Sequence, residues 1–300
     1  MNYVVAVDVG GTEIKSALVD SDFNVIATIN APTPKADVTG AHTVKAIAEL
    51  ISQYSKQQTV NAVGLAVPGA LNEPAGTSRW SGNLQWNNLP IQKLLADAIN
   101  IPVAFGHDVR TAAVAEMRNG AAKGANNAIF IPVGTGIAAA LIIDGEIRSA
   151  KGFAGEIGHV NVNGKYPCVC GKTGCLEAAS STLAISKAYE GLSGKAGVTT
   201  EEIYKLVIAG DPIAQQVWDD ATSAMARACE MLITILAPEV IVFGGGLSNA
   251  GKTFLKPIKD YLDSSLTFQR KPKLEIAHYK SNAGTIGCAM LAFDLVKAGN

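Results

Sequence analysis

A strand, a glycine–threonine turn and a returning strand occur twice in this chain, and the repetition restricts the fold more than any other feature. Ala6-Val7-Asp8-Val9-Gly10-Gly11-Thr12 aligns with Phe130-Ile131-Pro132-Val133-Gly134-Thr135-Gly136 at an offset of 134 − 10 = 124. The same offset pairs Leu18 with Ile142 and Asp20 with Asp144. A match at fixed spacing signals a duplicated unit. Around the first copy, residues 3–9, 14–19 and 25–29 read as three short strands with tight connections, an antiparallel meander. Apolar periodicity then predicts a helix over 43–54, a strand over 62–67, a helix over 90–99, a strand over 103–105 and a helix over 109–119. A meander followed by alternating helices and strands indicates an α/β domain with a mixed sheet. The second half carries a long helix over 212–236, a strand over 240–243 running into Gly244-Gly245-Gly246, and a closing helix over 284–297.

At about 150 residues per domain, 300 residues give two domains. The expected division is an N-terminal α/β domain over 1–118, completed by the closing helix at about 284–300, and a C-terminal α/β domain over 119–283. No low-complexity linker separates the halves, so they are expected to meet across a cleft, where ligands preferentially bind.

Charge and hydropathy exclude several classes of protein. Twenty-five basic side chains against 26 acidic ones leave a net charge of −1 with no dense Lys/Arg block, which argues against a nucleic-acid partner. The apolar runs at 128–133 and 137–143 fall short of the roughly 20 residues a membrane helix needs. Met1-Asn2-Tyr3 leads straight into a strand with no basic segment or cleavage site, so no signal peptide, no membrane partner and a cytoplasmic location are expected. Cysteine usage agrees. Cys168, Cys170 and Cys175 crowd together, a pattern for a metal rather than for a disulfide framework, whereas Cys229 and Cys288 read as small buried hydrophobes.

The cluster His159 … Cys168-x-Cys170-Gly171-x-x-Gly174-Cys175 offers one imidazole and three thiolates, a complete tetrahedral Zn²⁺ set. With every position filled by protein, such a zinc is structural and organises the loop 159–175. The glycines permit the tight turns that short-range chelation needs.

Three glycine turns follow strands: Gly10-Gly11-Thr12, Gly134-Thr135-Gly136 and Gly244-Gly245-Gly246. Each alone reads as a hairpin with glycines at positive φ; three together point to a nucleotide, with backbone N–H groups forming an anion nest. Asp8 is a candidate for a water-coordinated Mg²⁺ and Lys15 for offsetting phosphate charge. No Walker or G-x-G-x-x-G fingerprint is present, so P-loop and Rossmann folds are disfavoured. Asp108, at a strand-to-helix junction, is either the N-cap of the following helix or a general base for a substrate hydroxyl. The zinc loop is expected to bring Glu156, His159 and Glu177 together, groups suited to a polyhydroxylated ligand. With one His159 nitrogen on the metal, the other is left for substrate. Asn83 in Ser81-Gly82-Asn83-Leu84-x-Trp86 is either a turn cap or a donor and acceptor for adjacent sugar hydroxyls.

On these residues the sequence resembles the ROK family of repressors and sugar kinases, within the actin-like ATPase (ribonuclease H-like) fold: two α/β domains, each a mixed sheet flanked by helices. The resemblance spans essentially the whole chain and rests on Asp8-x-Gly10-Gly11-Thr12, Pro68-Gly69, Asn83-Leu84-x-Trp86, Asp108, Gly134-Thr135-Gly136, Gly155-Glu156-x-Gly158-His159, the cysteine loop with Glu177, and Gly244-Gly245-Gly246. It implies transfer of the ATP γ-phosphoryl group to the 6-hydroxyl of a hexose, with ATP, Mg²⁺ and structural Zn²⁺ as cofactors. By the same resemblance Asp108 is the base, and Gly69, Asn83, His107, Glu156, His159 and Glu177 bind sugar. Asp8, Lys15 and the three turns hold nucleotide, and the assembly is a homodimer or homotetramer.

Two departures stand out. His107 replaces the family's usual asparagine before the base, a ring expected to contact sugar hydroxyls and to titrate near neutral pH. Ile137-Ala138-Ala139-Ala140 follows Gly136 where the family often continues with glycines. Glu156 favours glucose or 2-acetamido-glucose as substrate over N-acetylmannosamine, so the expected enzyme is a glucokinase with an N-acetylhexosamine kinase as the alternative. A sugar-responsive repressor needs a helix-turn-helix ahead of the first glycine turn, which begins here at residue 8, and is the less favoured reading.

Overall fold

Val4 to Val7 are all buried, an apolar run on both faces of the pleat that requires a strand covered from two sides. In the computed structural model, which describes residues 2–299, this run is β1 (Tyr3–Val9), the centre of a five-stranded sheet. β2 (Glu13–Asp20) and β3 (Val25–Pro32) extend it antiparallel on one side, and β4 (Val60–Val67) and β8 (Val103–His107) parallel on the other. Between β4 and β8 lie a small sheet of β5 (Ala70–Asn72), β6 (Thr77–Ser81) and β7 (Trp86–Leu89) and the helix α2 (Ile91–Ile99), which sequence periodicity gave as helix alone. α1 (Ala41–Ser55) sits between β3 and β4, and α3 (Asp108–Asn119) follows β8 directly.

Alternation sorts the β1 side chains by face. Val5, Val7 and Val9 join Ile47, Ile51 and Leu95 from α1 and α2 in one core. Val4 and Ala6 meet α9 (Ala283–Ala298) through Cys288, Ala289 and Ala292 in another. That second face is packed backbone to backbone: a Cβ on Gly64 would lie 1.9 Å from the Cys288 carbonyl oxygen, and one on Gly287 1.9 Å from that of Thr111. The closing helix therefore belongs to the first sheet. The first unit comprises the residues up to Arg118, Ser149–Ala154 and those from Asn282 onward; Asn119–Arg148 and Gly155–Ser281 form the second.

The second unit repeats the plan. β9 (Ala128–Pro132) pairs antiparallel with β10 (Ala140–Ile143), which pairs with β11 (Glu146–Arg148). On the other side β9 runs parallel to β12 (Val240–Gly244), and β12 to β13 (Lys273–Ile276). The strand orders β3-β2-β1-β4-β8 and β11-β10-β9-β12-β13 are the same topology. Helices α4 (Glu177–Ser180), α5 (Thr182–Ser193), α6 (Thr200–Ile208), α7 (Pro212–Leu236) and α8 (Lys252–Ser265) complete the unit. Trp218 on α7 is buried among them, its indole N–H donating to the Thr253 carbonyl at 3.1 Å.

The duplication is not in constant register, which corrects the pairing of Leu18 with Ile142. Leu18 faces Val5, and the residue facing the equivalent Ile129 is Leu141, an offset of 141 − 18 = 123. The cause is the turn. Val9 faces Ile14 across four residues, whereas Val133 bridges Ile137 across three, and a one-residue slip exchanges the faces of a strand. Among the described residues no helix is long and apolar enough to cross a membrane.

Candidate active site and metal centre

In the first unit the turn after β1 is tied to the β3 side, where the Thr33 hydroxyl donates to the Gly10 carbonyl at 2.7 Å. Opposite stands the β6–β7 turn: a Cβ on Gly11 would lie 3.3 Å from the Asn83 Cβ, so the exposed Asn83 is set directly beside Gly10-Gly11-Thr12. Gly69 serves packing in this same region. Its φ is 108°, and a Cβ would lie 2.3 Å from the Trp80 carbonyl oxygen. Asp8 faces Lys15 across the hairpin and lies against the start of α9, where a Gly284 Cβ would come within 2.6 Å of its Oδ2. Burial raises the Asp8 pKa, with Lys15 opposing, which marks a carboxylate that gains from a nearby cation.

Asp108 opens α3. Its Oδ1 accepts from the Val109 N–H at 2.7 Å and lies 3.0 Å from His107 Nδ1. The His107 ring is 8% exposed, against 33% for the Asp108 side chain. One expectation for His107, its titration, is thereby corrected. Desolvation, with Arg110 adding to it, lowers its pKa to about 3, so the ring is neutral at physiological pH and does not titrate near 7. Buried at the end of β8, its Nδ1 accepts from the Val109 N–H at 3.2 Å and lies 3.0 Å from Asp108 Oδ1. Behind it, Glu73 Oε1 accepts from the His107 N–H at 3.1 Å and the buried Arg110 Nε at 3.3 Å. Sequence reading missed Glu73 and Arg110, because no local motif joins Glu73 to residues 34 and 37 positions away.

In the second unit the turns after β9 and β12 are neighbours. The Val133 N–H donates to the Gly244 carbonyl at 2.9 Å, and the Leu247 N–H to the Val133 carbonyl at 3.3 Å. Among the glycines of the three turns only Gly245 has positive φ, 73°, so the hairpin explanation accounts for one of them. Packing demands Gly244 and Gly245, whose Cβ atoms would come within 2.8 Å of Phe130 and 2.4 Å of the Val133 carbonyl. Gly246 is different: a Cβ there meets nothing within 4 Å, and one on Gly134 meets only the Gly136 carbonyl, at 4.0 Å. Glycine at these two positions is not required by the protein's own packing, as expected where a ligand approaches the backbone.

Glu177 has a structural duty that sequence did not reveal. Its Oε2 accepts from the Ile137 N–H at 2.9 Å, holding the end of the Gly134-Thr135-Gly136 turn. A Gly158 Cβ would lie 3.3 Å from both the Glu177 Cβ and Oε2, so the Glu156–His159 turn packs on this residue. Thr135, Cys168 and Glu177 also line one cavity of about 250 Å³, together with Ser181 and Lys187, two polar residues that sequence reading passed over.

The ligand atoms of His159, Cys168, Cys170 and Cys175 all lie within 4.8 Å of one another. Cys168 Sγ is 3.7 Å from His159 Nδ1, and the Cys170 and Cys175 sulfurs are 3.6 Å apart. Zn–S bonds of about 2.3 Å in a tetrahedron put ligands at about such spacings, so the four residues fit a zinc ion. Nδ1 is the nitrogen turned to the sulfurs, leaving Nε2 directed elsewhere. Without a cation, burial and the neighbouring thiols push Cys175 up to about 12, a cost that a bound cation reverses. The loop is shaped for this by Gly171 and Gly174 at φ 87° and 91° and by the bridges Asn161–Cys175 and Pro167–Thr173.

Two sheets of one topology, with glycine turns at the ends of their central strands, define a duplicated α/β protein of the actin-like ATPase fold. A model of the ROK family matches residues 4–294, and the chain belongs to that family. It is 34% identical to a glucokinase of Halalkalibacterium halodurans, with 95% of this chain and 93% of that protein aligned. It is 30% identical to an N-acetylmannosamine kinase of Escherichia fergusonii, over 96% and 97%. The crystal structure of a ROK family glucokinase from Streptomyces griseus in complex with glucose and AMPPNP superposes with a TM-score of 0.84 at 27% identity, covering 98% of this chain and all of that one.

Proposed function

We propose that the chain is an ATP-dependent hexose kinase that phosphorylates the 6-hydroxyl of an aldohexose, with glucose the leading substrate. The observation that carries the reading is a partly exposed carboxylate, Asp108, gripped through Oδ1 at a strand–helix junction. Phosphoryl transfer is largely positioning and charge stabilisation, so a base held in one orientation is the group the reaction most needs. Similarity to the H. halodurans and S. griseus glucokinases over nearly the whole chain supports the same assignment.

Asp108 takes the proton of the 6-hydroxyl as the γ-phosphorus is attacked. Asn83, the Gly69 backbone, Glu156, His159 Nε2 and the remaining acceptor capacity of Glu177 hydrogen-bond the other hydroxyls. Backbone N–H groups of Gly10 to Thr12, Gly134 to Gly136 and Gly244 to Gly246 receive the phosphates, and Lys15 offsets their charge. Asp8 is the residue to hold Mg²⁺ through water, and that ion, when bound, neutralises phosphate charge. Zn²⁺ on His159, Cys168, Cys170 and Cys175 would cross-link the loop and fix the His159 tautomer. Three of the five cysteines gathered as candidate metal ligands, rather than dispersed as disulfide partners, support a cytoplasmic location.

An N-acetylhexosamine kinase is the second reading, favoured by the 30% identity to the E. fergusonii enzyme. A coupled ADP-release assay over glucose, mannose and the N-acetylhexosamines decides between the two. Turnover is expected to be greatest with glucose; preference for an acetylated sugar moves the assignment to the second reading, and no turnover with any sugar overturns both.

A further inference from the structure

Two carbonyls of the Gly10-Gly11-Thr12 turn are held by one residue at the end of β3. Thr33 Oγ1 donates to the Gly10 oxygen at 2.7 Å, and the Thr33 N–H donates to the Thr12 oxygen at 3.0 Å. A trans peptide is planar, so its C=O and N–H point in opposite directions. With the Gly10 oxygen drawn to Thr33, the N–H of the same peptide, that of Gly11, faces away from Thr33. Among the described residues no main-chain oxygen accepts from the Gly11 N–H. The holding group is rigid. Thr33 is buried and lies between Pro32, whose ring fixes its own φ, and Pro34, which biases the residue before it to extended backbone.

The second copy of the unit reaches the same arrangement with an unrelated donor. Gly134, the residue aligned with Gly10, has its carbonyl held at 2.8 Å by the Thr182 N–H at the start of α5. The Thr135 N–H is thereby turned away from α5. The two turns differ in length by one residue, yet the same carbonyl is anchored in both. A loose carbonyl there could swing its oxygen towards a phosphate, where like charges repel; an anchored one presents an N–H instead.

We propose that Thr33 is a positioning residue for the nucleotide: its hydroxyl locks the Gly10–Gly11 peptide so that the Gly11 N–H is presented to a phosphate of ATP. The proposal rests on the reading of this turn as a phosphate site. Thr33 acts through the turn and touches neither substrate, so its part lies in nucleotide affinity and not in sugar affinity.

The substitution pair Thr33→Val and Thr33→Ser tests this, because valine keeps the branched shape without the hydroxyl and serine keeps the hydroxyl. For Thr33→Val the ADP dissociation constant, measured by calorimetry without sugar, is expected to rise about three- to tenfold, the scale for one neutral hydrogen bond, and the KM for ATP with it. The KM for sugar is expected to stay at the parent value, and Thr33→Ser to restore most of the ADP affinity. A valine variant that binds ADP as the parent does overturns the proposal, whatever its melting temperature. So does a loss confined to the sugar KM, or a serine variant as weak for ADP as valine at the parent's melting temperature. The amide spectrum of the parent reads the contact without any variant: the Gly11 N–H resonance is expected to shift on adding ADP, and an unmoved one overturns the assignment. Should the parent bind ADP yet phosphorylate no sugar, the kinase reading falls while the ADP affinities still decide the role of Thr33. A parent that binds no ADP overturns both.

Discussion

The two five-stranded sheets share one strand order yet carry different chemistry at the same places. Where β1 has Asp8, the aligned position on β9 is Pro132; where β8 runs into His107 and Asp108, the corresponding strand β13 ends in Ile276. The first unit thus holds acidic groups at its strand ends. The second holds two of the three glycine turns, in which a Cβ on Gly134 or Gly246 would meet almost nothing, and a loop whose four donor atoms could hold a metal ion. Duplication preserved what the hydrophobic core enforces, since the apolar strands of each sheet must be buried. It left strand ends and loops to diverge, because those contribute little to the core.

This division of labour can be broken experimentally. The largest effect is expected from Asp108→Ala, which should lower kcat by about 10²- to 10⁴-fold, the range for a general base, with little change in thermal midpoint. Near-normal activity would remove Asp108 from the chemistry and with it the contrast between units. Next comes the metal loop. Elemental analysis should find about one zinc per chain, and the double variant Cys168→Ser/Cys170→Ser should lose it together with several kcal/mol of stability. Hydrogen exchange should then rise within residues 156–176 and not in the first sheet; a metal-free protein with a protected loop would contradict the site.

Acid should act chiefly on the first unit through His107. Its folded pKa, about 3, lies below the ordinary value of 6.5, so the unfolded chain binds the extra proton between these pH values. Stability should therefore fall as pH drops from about 6.5 towards 3, by up to a few kcal/mol. Denaturant titrations of His107→Asn should show a flatter acid limb, and an identical limb would show that other groups set it. The smallest effect sharpens the reading of the glycine turns. Gly246→Ala should keep full stability but raise the KM for ATP by up to about tenfold, about 1.4 kcal/mol, the loss of one close backbone approach. Gly245→Ala, with positive φ and a carbonyl at 2.4 Å from the new carbon, should instead destabilise the fold.

Much of this molecule was legible because its signals are local. A short apolar run announced β1, helical spacing announced α7, and the cysteine and histidine spacing announced a candidate metal loop whose ligand atoms do converge. Other local signals were there and passed over. Asp144-Gly145, both at positive φ, is the two-residue turn that makes β11 a hairpin partner of β10. Thr77 to Trp86 alternates loosely enough that the β5–β6–β7 sheet reads as loop, since its strands are only three to five residues long. The Leu18 register error arose because sequence alignment carries its offset through a turn that is one residue shorter in the second copy.

Sequence by itself determined the duplicated scaffold, the glycine turns and the donor set of the candidate metal loop, because periodicity, turn residues and ligand types act over a few positions. Only the tertiary structure decided that Glu177 braces the Ile137 amide, that Glu73 and Arg110 stand behind His107, and that a buried ring lies beside Asp108. Those outcomes depend on distance and desolvation between residues far apart along the chain. Such quantities exist only once the sheets have formed and water has been displaced.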